Sequence, residues 1–397
     1  MSLPAYPLGR VWSNVYGYRQ RSKRHFHPAH AEAGEPFAKV MESGEIVRST
    51  GWSGMNSKPD VAMLTPFQLE PKFVERIWGT PDLRPWYDFV SSGEAGHNPV
   101  GEVWLTGDEC KVLTGSLAGR TLGEVFVEHA AAMMGSRAAD RMQGQSPLLL
   151  KVIFAQEKLS VQVHPDDKLA QKYGQPRGKT ECWYALAAEP GAEVAAGLRP
   201  GVTLEQVEQG VADGTLEESL EVLPVAAGDL VYVDAGTVHA IWPGSVLLET
   251  QQNCDITYRL YDYGRPRELH VAKALEAIRL KTAAGKIAPV KLADRTVLVD
   301  REYFRVEKIA IEGSRTGVSM VGKDEFTGEG DSGLAYLFAA AGSGRITALD
   351  LAGFEPVPLS SRGVVAVPAA SPEWQIEDCG GLELIRITPR FPAGEPA

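Results

Sequence analysis

From Leu64 onward, short runs alternate apolar and polar positions with a period of two and are broken by Gly, Pro, Asn and Asp, a pattern that predicts many short β-strands. The signal is clearest beyond Lys291, where TVLVD, YFRVEKIAIE, LAYLFAAAG, GRITALDL, GVVAVPAA and LELIRITP follow one another as an all-β unit. Three stretches carry a helical period instead. Residues 120–142 repeat Leu122, Val125 and Phe126 and then alanines and methionines; residues 202–220 open on Thr203 with Gln206 three further on, a capping box; residues 267–283 set Leu269, Ala272, Ala274, Leu275 and Ile278 on one side. The expected architecture is therefore mainly β, with a few covering helices. Residues 1–62 show no sustained period and are expected to be a flexible extension, residues 63–290 a first domain, and residues 291–397 a second.

Composition narrows the partners. A chain of 397 residues with a formal net charge of −11 lacks the basic balance of a nucleic-acid surface, and 44% hydrophobic content is ordinary for a globular protein. No apolar run reaches the roughly 18 residues that span a bilayer, and the N-terminus lacks a secretory apolar region, so the expectation is a cytoplasmic protein acting on small molecules. Cys110, Cys182, Cys254 and Cys379 form no CxxC pair and are expected to be reduced thiols. His25, His27 and His30 fall in the extension, where no scaffold supports a metal; His129 and His270 fall on expected helices, and His97 on an expected loop.

The two remaining histidines sit in motifs. In LSVQVHPDD (159–167) the alternation puts Ser160, Gln162 and His164 on one face of a strand and Val161 and Val163 on the other. In GDLVYVDAGTVHAIWP (228–243) a strand, a tight turn at Gly236 and a second strand presenting His239 match the second signature of the cupin barrel, with Asp234 and Pro243 where Pro and Asn are usual. The first cupin signature supplies a His-x-His pair and then a glutamate. Gln162-Val163-His164 has that spacing, and Lys179-Thr180-Glu181 supplies the carboxylate. Gln162, His164, Glu181 and His239 are thus candidate ligands whose nitrogen and oxygen donors suit zinc with a position open for substrate; Fe, Mn or Co would also accept them. A weaker echo aligns VYVDAGTVHAI (231–241) with VAVPAASPEWQI (365–376), placing Glu373 where the first copy has His239 and suggesting a second, metal-free barrel.

The strings PLLLKVIFAQEKLSVQVHPDD, GKTECWYAL, GDLVYVDAGTVHAI and LLETQQNCDITYRLYDYGR, with WGTPDLRPW and GEVWLTGDE before them, together resemble the type I mannose-6-phosphate isomerase family in its shorter bacterial form, over residues 63–390. The resemblance implies two cupin-like jelly-roll barrels and a zinc-dependent aldose–ketose isomerase interconverting mannose 6-phosphate and fructose 6-phosphate, with one zinc per chain. It places the ligands on Gln162, His164, Glu181 and His239, the active-site arginine on Arg259, the substrate-site lysine on Lys179 and an acid on Asp255; Ser160, on the strand face of Gln162 and His164, is expected to line the same pocket. Longer members carry a histidine where this chain has Gly178. Asp255 and a metal-bound water both remain open as proton carrier, and Lys179 as phosphate holder or ring opener. A metal-dependent cupin oxygenase and a non-catalytic sugar-phosphate sensor are the rival readings, and monomer and homodimer both stay open.

Overall fold

The computed structural model describes residues 64–91, 99–311, 333–350 and 353–391. The expected extension over 1–62, with its three histidines, and His97 lie outside the described residues. From Leu64 on, the described chain belongs to one compact unit dominated by β-strands.

Four sheets make up the unit. A seven-stranded sheet runs Gly285–Lys286, Leu230–Val233, Glu181–Ala188, Ser245–Gln252, Leu148–Phe154, Val100–Trp104, Lys72–Thr80. A five-stranded sheet, Tyr258–Tyr261, Val161–Val163, His239–Ile241, Glu193–Leu198, Leu220–Pro224, packs on it. Ile153, Trp183 and Leu247 of the first and Val194, Ala196 and Ile241 of the second share one core cluster. A second seven-stranded sheet runs Phe67–Gln68, Val364–Val367, Ala335–Ala341, Glu383–Pro389, Phe304–Ala310, Thr296–Asp300, Val290–Lys291, and a three-stranded sheet, Val357–Leu359, Gly344–Ala348, Trp374–Asp378, shares a core with it. A further cluster holds Leu150, Tyr184 and Leu248 together with Val306, Tyr336 and Ile385, so apolar packing is continuous between the two halves.

The echo between residues 231–241 and 365–376 is a repeat of topology. Leu230–Val233 leads through the Gly236 turn into His239–Ile241, crossing from the seven-stranded to the five-stranded sheet; Val364–Val367 leads into Trp374–Asp378 and crosses to the three-stranded sheet. Glu373, at the place of His239, is exposed. Gly236 is required at its turn: its φ is +89°, and a Cβ there would lie 2.7 Å from the Arg279 side chain and 3.0 Å from the Ala277 carbonyl oxygen. The chain passes from the first seven-stranded sheet to the second between Lys286 and Val290. Phe67–Gln68, however, pairs with Val364–Val367, so the start of the expected first domain is a strand of the second half's sheet.

The helices cover the outer face of the five-stranded sheet, where Val161, Val163, Ala240 and Leu260 meet Val207, Ala274 and Ala277, and also enter the shared core. Two differ from expectation. Residues 120–142 form two helices, Leu122–Met134 and Ser136–Met142, because Gly135 at φ +85° separates them. The segment 267–283 is helical only over Val271–Ala277, since the His270 amide donates to the Arg259 carbonyl at 2.7 Å and the Arg279 amide to that of Gly236 at 2.9 Å, which ties both ends to neighbouring backbone. Leu269 is consequently exposed. The helix Leu204–Asp213 starts at Thr203 with both halves of its capping box formed. Thr203→Ala is expected to cost about 1 kcal/mol, read as a lower urea midpoint at unchanged slope; an unchanged midpoint would refute the contribution of the cap.

Candidate metal centre and active site

Antiparallel register assembles the site. In the five-stranded sheet Gln162 lies opposite His239 on one neighbouring strand and opposite Arg259 on the other. Directly opposed residues project to the same face, so these three side chains form a row. Val161 and Val163 point the other way, into the core under the helices. The facing sheet presents its own row, because Glu249 lies opposite both Lys151 and Trp183 and Lys151 lies opposite Trp104. Glu181, two residues before Trp183, shares that face.

Between the rows, nitrogen and oxygen donors converge. One ligand atom from each of His164, Glu181 and His239 lies within 4.8 Å of the others, and all three residues are buried. The Gln162 amide Nε2 is 3.2 Å from His239 Nε2 and 3.5 Å from His164 Nε2. His239 Nδ1 lies 2.9 Å from the Thr237 carbonyl oxygen and donates to it, which leaves the Nε2 lone pair facing Gln162 and Glu181. Burial pushes the His239 pKa down to about 4 and that of His164 well below its ordinary value, with the Lys179 charge adding to the effect. Both imidazoles are therefore neutral at neutral pH, the form that binds a metal. Ser160 Oγ sits 3.1 Å from Gln162 Oε1; as a hydroxyl it serves an amide oxygen or an amide nitrogen equally, so it holds Gln162 in either orientation. Two neutral imidazoles, one carboxylate and one amide in this space fit a divalent cation such as zinc.

Lys179 stands at the same end. Its ammonium Nζ is 3.1 Å from Glu181 and donates to His164 Nε2 at 3.2 Å. Burial opposes its charge, but Glu181 and Glu249 outweigh burial and raise the pKa.

A second charged cluster forms the other wall. Lys151, 2% exposed, lies 3.1 Å from Asp255, 3.4 Å from Glu249 and 3.8 Å from Glu102, and over the Trp104 ring at 5.2 Å. Burial disfavours its charge, and the three carboxylates more than compensate. The carboxylates respond differently. Burial and the nearby Glu181 charge raise the pKa of Glu249, which accepts from Trp183 Nε1 at 3.1 Å. Burial also opposes ionisation of Glu102 and Asp255, but Lys151 prevails with Arg76 at the first and Lys179 at the second, and both pKa values lie below the ordinary range. A carboxylate that stays ionised is ready to accept a proton, and one with a raised pKa retains it more readily; Asp255 has the first property and Glu249, held by Trp183, the second.

The two clusters border one cavity of about 490 Å³, whose wall includes Ser160, Gln162, Lys179, Glu181, Asp255 and Arg259. Every candidate taken from the motifs is thus at or beside this cavity. Arg259 is half-buried; its Nη1 donates to the Glu268 carbonyl at 2.8 Å and its buried Nε has no hydrogen-bond partner among the described residues. Burial, then Arg267, lowers its pKa, and a guanidinium remains charged at neutral pH. His270 belongs to its support, since Nδ1 accepts from the Arg259 amide at 3.3 Å. The residues not foreseen are Arg76, Glu102, Lys151, Glu249 and Arg267. The signal for three of them was a lone charge inside an apolar run: Glu102 in VGEVW, Lys151 in LLLKVIF and Glu249 in SVLLETQQ. A charge there is expected to be paired in a core or to line a site.

Comparison with known proteins finds relatives over most of the chain. A family model described as phosphomannose isomerase type I, catalytic domain, matches residues 66–195. The mannose-6-phosphate isomerase of Streptococcus mutans is 34% identical over 338 residues, covering 81% of this chain and 98% of that protein. The crystal structure of mannose 6-phosphate isomerase from Bacillus subtilis superposes with a TM-score of 0.67 at 31% identity, covering 82% of this chain and 99% of the other. A solved mannose 6-phosphate isomerase with zinc bound shares the fold at a TM-score of 0.64 and 16% identity, over 83% of this chain and the whole of that one. These neighbours are cupin-fold proteins.

Removing Lys151 would leave Glu249 buried without its nearest cation and Glu102 with Arg76 alone. Lys151→Met is expected to cost about 3–5 kcal/mol of stability, visible as a large drop in Tm; a melting curve that does not move would show that the carboxylates do not depend on this ion.

Proposed function

Because the chain belongs to the type I mannose-6-phosphate isomerase family, we propose that it interconverts mannose 6-phosphate and fructose 6-phosphate, using one zinc ion held by Gln162, His164, Glu181 and His239. The observation that carries the reading is the convergence of these four donors beside Lys179, Asp255 and Arg259 at one cavity.

Charge supports an anionic substrate. The cavity is lined by five acidic and five basic residues. A divalent metal would leave an excess of about +2, which a phosphate monoester, carrying about −1.5 to −2 at neutral pH, offsets. Arg259, whose Nε has no hydrogen-bond partner among the described residues, is the guanidinium most available to a substrate oxygen.

Bound zinc would supply Lewis-acid polarisation of the oxygens on C1 and C2. The reaction needs one proton moved between these carbons and one between their oxygens, with no oxidant and no second substrate, and it passes through an enediol. The Asp255 carboxylate, kept ionised by Lys151 and Lys179, accepts the carbon proton from one carbon and returns it to the other. Arg259 takes up negative charge as it develops on oxygen. Lys179 is 3.2 Å from His164, at the ligand end of the cavity, which favours a part in opening the sugar ring over holding a distant phosphate. Ser160 keeps Gln162 in place.

Two measurements test this. Purified protein is expected to contain about one zinc per chain and to turn over both hexose phosphates in a coupled assay without consuming oxygen, losing activity to a chelator and regaining it with metal. Full turnover by stripped protein would end the zinc reading, and oxygen uptake would favour the oxygenase. Arg259→Ala is expected to lower kcat by about 10²-fold or more; an unchanged kcat would remove Arg259 from the chemistry.

A further inference from the structure

The structure leaves no room for a side chain at Gly178. A Cβ on Gly178 would lie 2.5 Å from both the Asp166 carbonyl carbon and the Pro165 carbonyl oxygen, and 2.7 Å from the Asp167 amide nitrogen. All are backbone atoms of the turn that follows His164. The chain from Gly178 to Thr180, which carries Lys179, therefore lies directly against that turn.

The same three residues are held by their amides. The Gly178 N–H donates to Asp167 Oδ1 at 2.7 Å, the Lys179 N–H to the Pro165 carbonyl at 3.1 Å, and the Thr180 N–H to Gln252 Oε1 at 2.9 Å. Gln252 is itself tied back, its Nε2 donating to Asp167 Oδ1 at 2.9 Å. The other oxygen, Asp167 Oδ2, accepts from the Tyr303 hydroxyl at 3.0 Å. Tyr303 immediately precedes Phe304–Ala310, a strand of the second half's seven-stranded sheet.

We infer that Asp167 is a positioning residue for Lys179, its carboxylate joining the backbone that carries Lys179 to Gln252 and, through Tyr303, to the C-terminal half of the protein. On this reading the C-terminal half contributes to the reaction without touching substrate. The carboxylate is suited to the task because its two oxygens can accept several hydrogen bonds at once. The inference rests on the proposed role of Lys179 in the isomerisation.

The test is a mutant cycle on the zinc-loaded full chain. Asp167→Ala removes both acceptors and is expected to lower kcat about 10-fold, the scale of an ångström-level misplacement or less, with KM within about threefold and zinc content unchanged. Asp167→Asn keeps an acceptor for Gly178 and Gln252 and is expected to recover most of kcat. In a Lys179→Ala background Asp167→Ala is expected to have little further effect, since coupled residues are not additive. Equal fold-losses from Asp167→Ala in both backgrounds, or no recovery by Asp167→Asn, would overturn the positioning role. A Lys179→Ala enzyme with full activity would instead overturn the reading of Lys179. Should Asp167→Ala not fold, Tyr303→Phe, which deletes one hydroxyl and keeps the ring, is expected to lower kcat about threefold at unchanged zinc content, and an unchanged kcat would refute the link to the C-terminal half.

Discussion

Gln162 has His239 opposite it on one side and Arg259 on the other, and side chains in a strand alternate strictly between faces. A slip of one residue would turn Gln162 toward the helices and bring Val161 or Val163 into the cavity. The slip is prevented by what the opposite face buries: Val161 and Val163 are fully enclosed with Val207, Ala240, Leu260 and Ala274. Packing under the helices thus holds the register, and the register holds the donor set. The short strand Val161–Val163 could not do this alone; its hydrogen-bonded neighbours and its apolar face do it together.

The cavity wall obeys a second constraint, the cost of charge in a place that water reaches poorly. Lys151, Glu249 and Glu102 sit on strands whose other residues are core, and each is tolerable because opposite charge is near, Arg76 and Asp255 included. The same crowding separates the carboxylates in pKa, depressing those closest to cations and raising Glu249, which shares its surroundings with Glu181. Arg259 is different, since no carboxylate answers it at ion-pair distance among the described residues. A cation left with an unpartnered Nε at the edge of a balanced cluster is where an incoming anion gains most.

The two halves of the chain share strand order but divide the work. The first sheet pair opens into the cavity, while the second pair closes on an apolar cluster that includes Leu337, Ile346, Leu359 and Ile376. Where the first copy presents His239, the second has exposed Glu373. The second half contributes through contact instead: its core is continuous with the first, and Tyr303 reaches Asp167 beside the turn after His164.

Period and turn chemistry are local, and they made much of this protein legible in its sequence: the strands beyond Lys291, the capping box at Thr203, the Gly236 turn, and the shared face of Ser160, Gln162 and His164. Spacing also grouped the candidate ligands, because motif and strand alternation set which side chains share a face within one strand. The helix over 267–283 came out shorter than its pattern, since the backbone of Arg259 and Gly236 captures the segment at both ends. Nor could local pattern say which lone charges would meet. Lys151 finds Asp255 from 104 residues away, and Asp167 finds Tyr303 from 136. Those partnerships depend on sheet order and on which faces are pressed together, and these follow from burying apolar surface across the whole chain, so only the folded structure decides them.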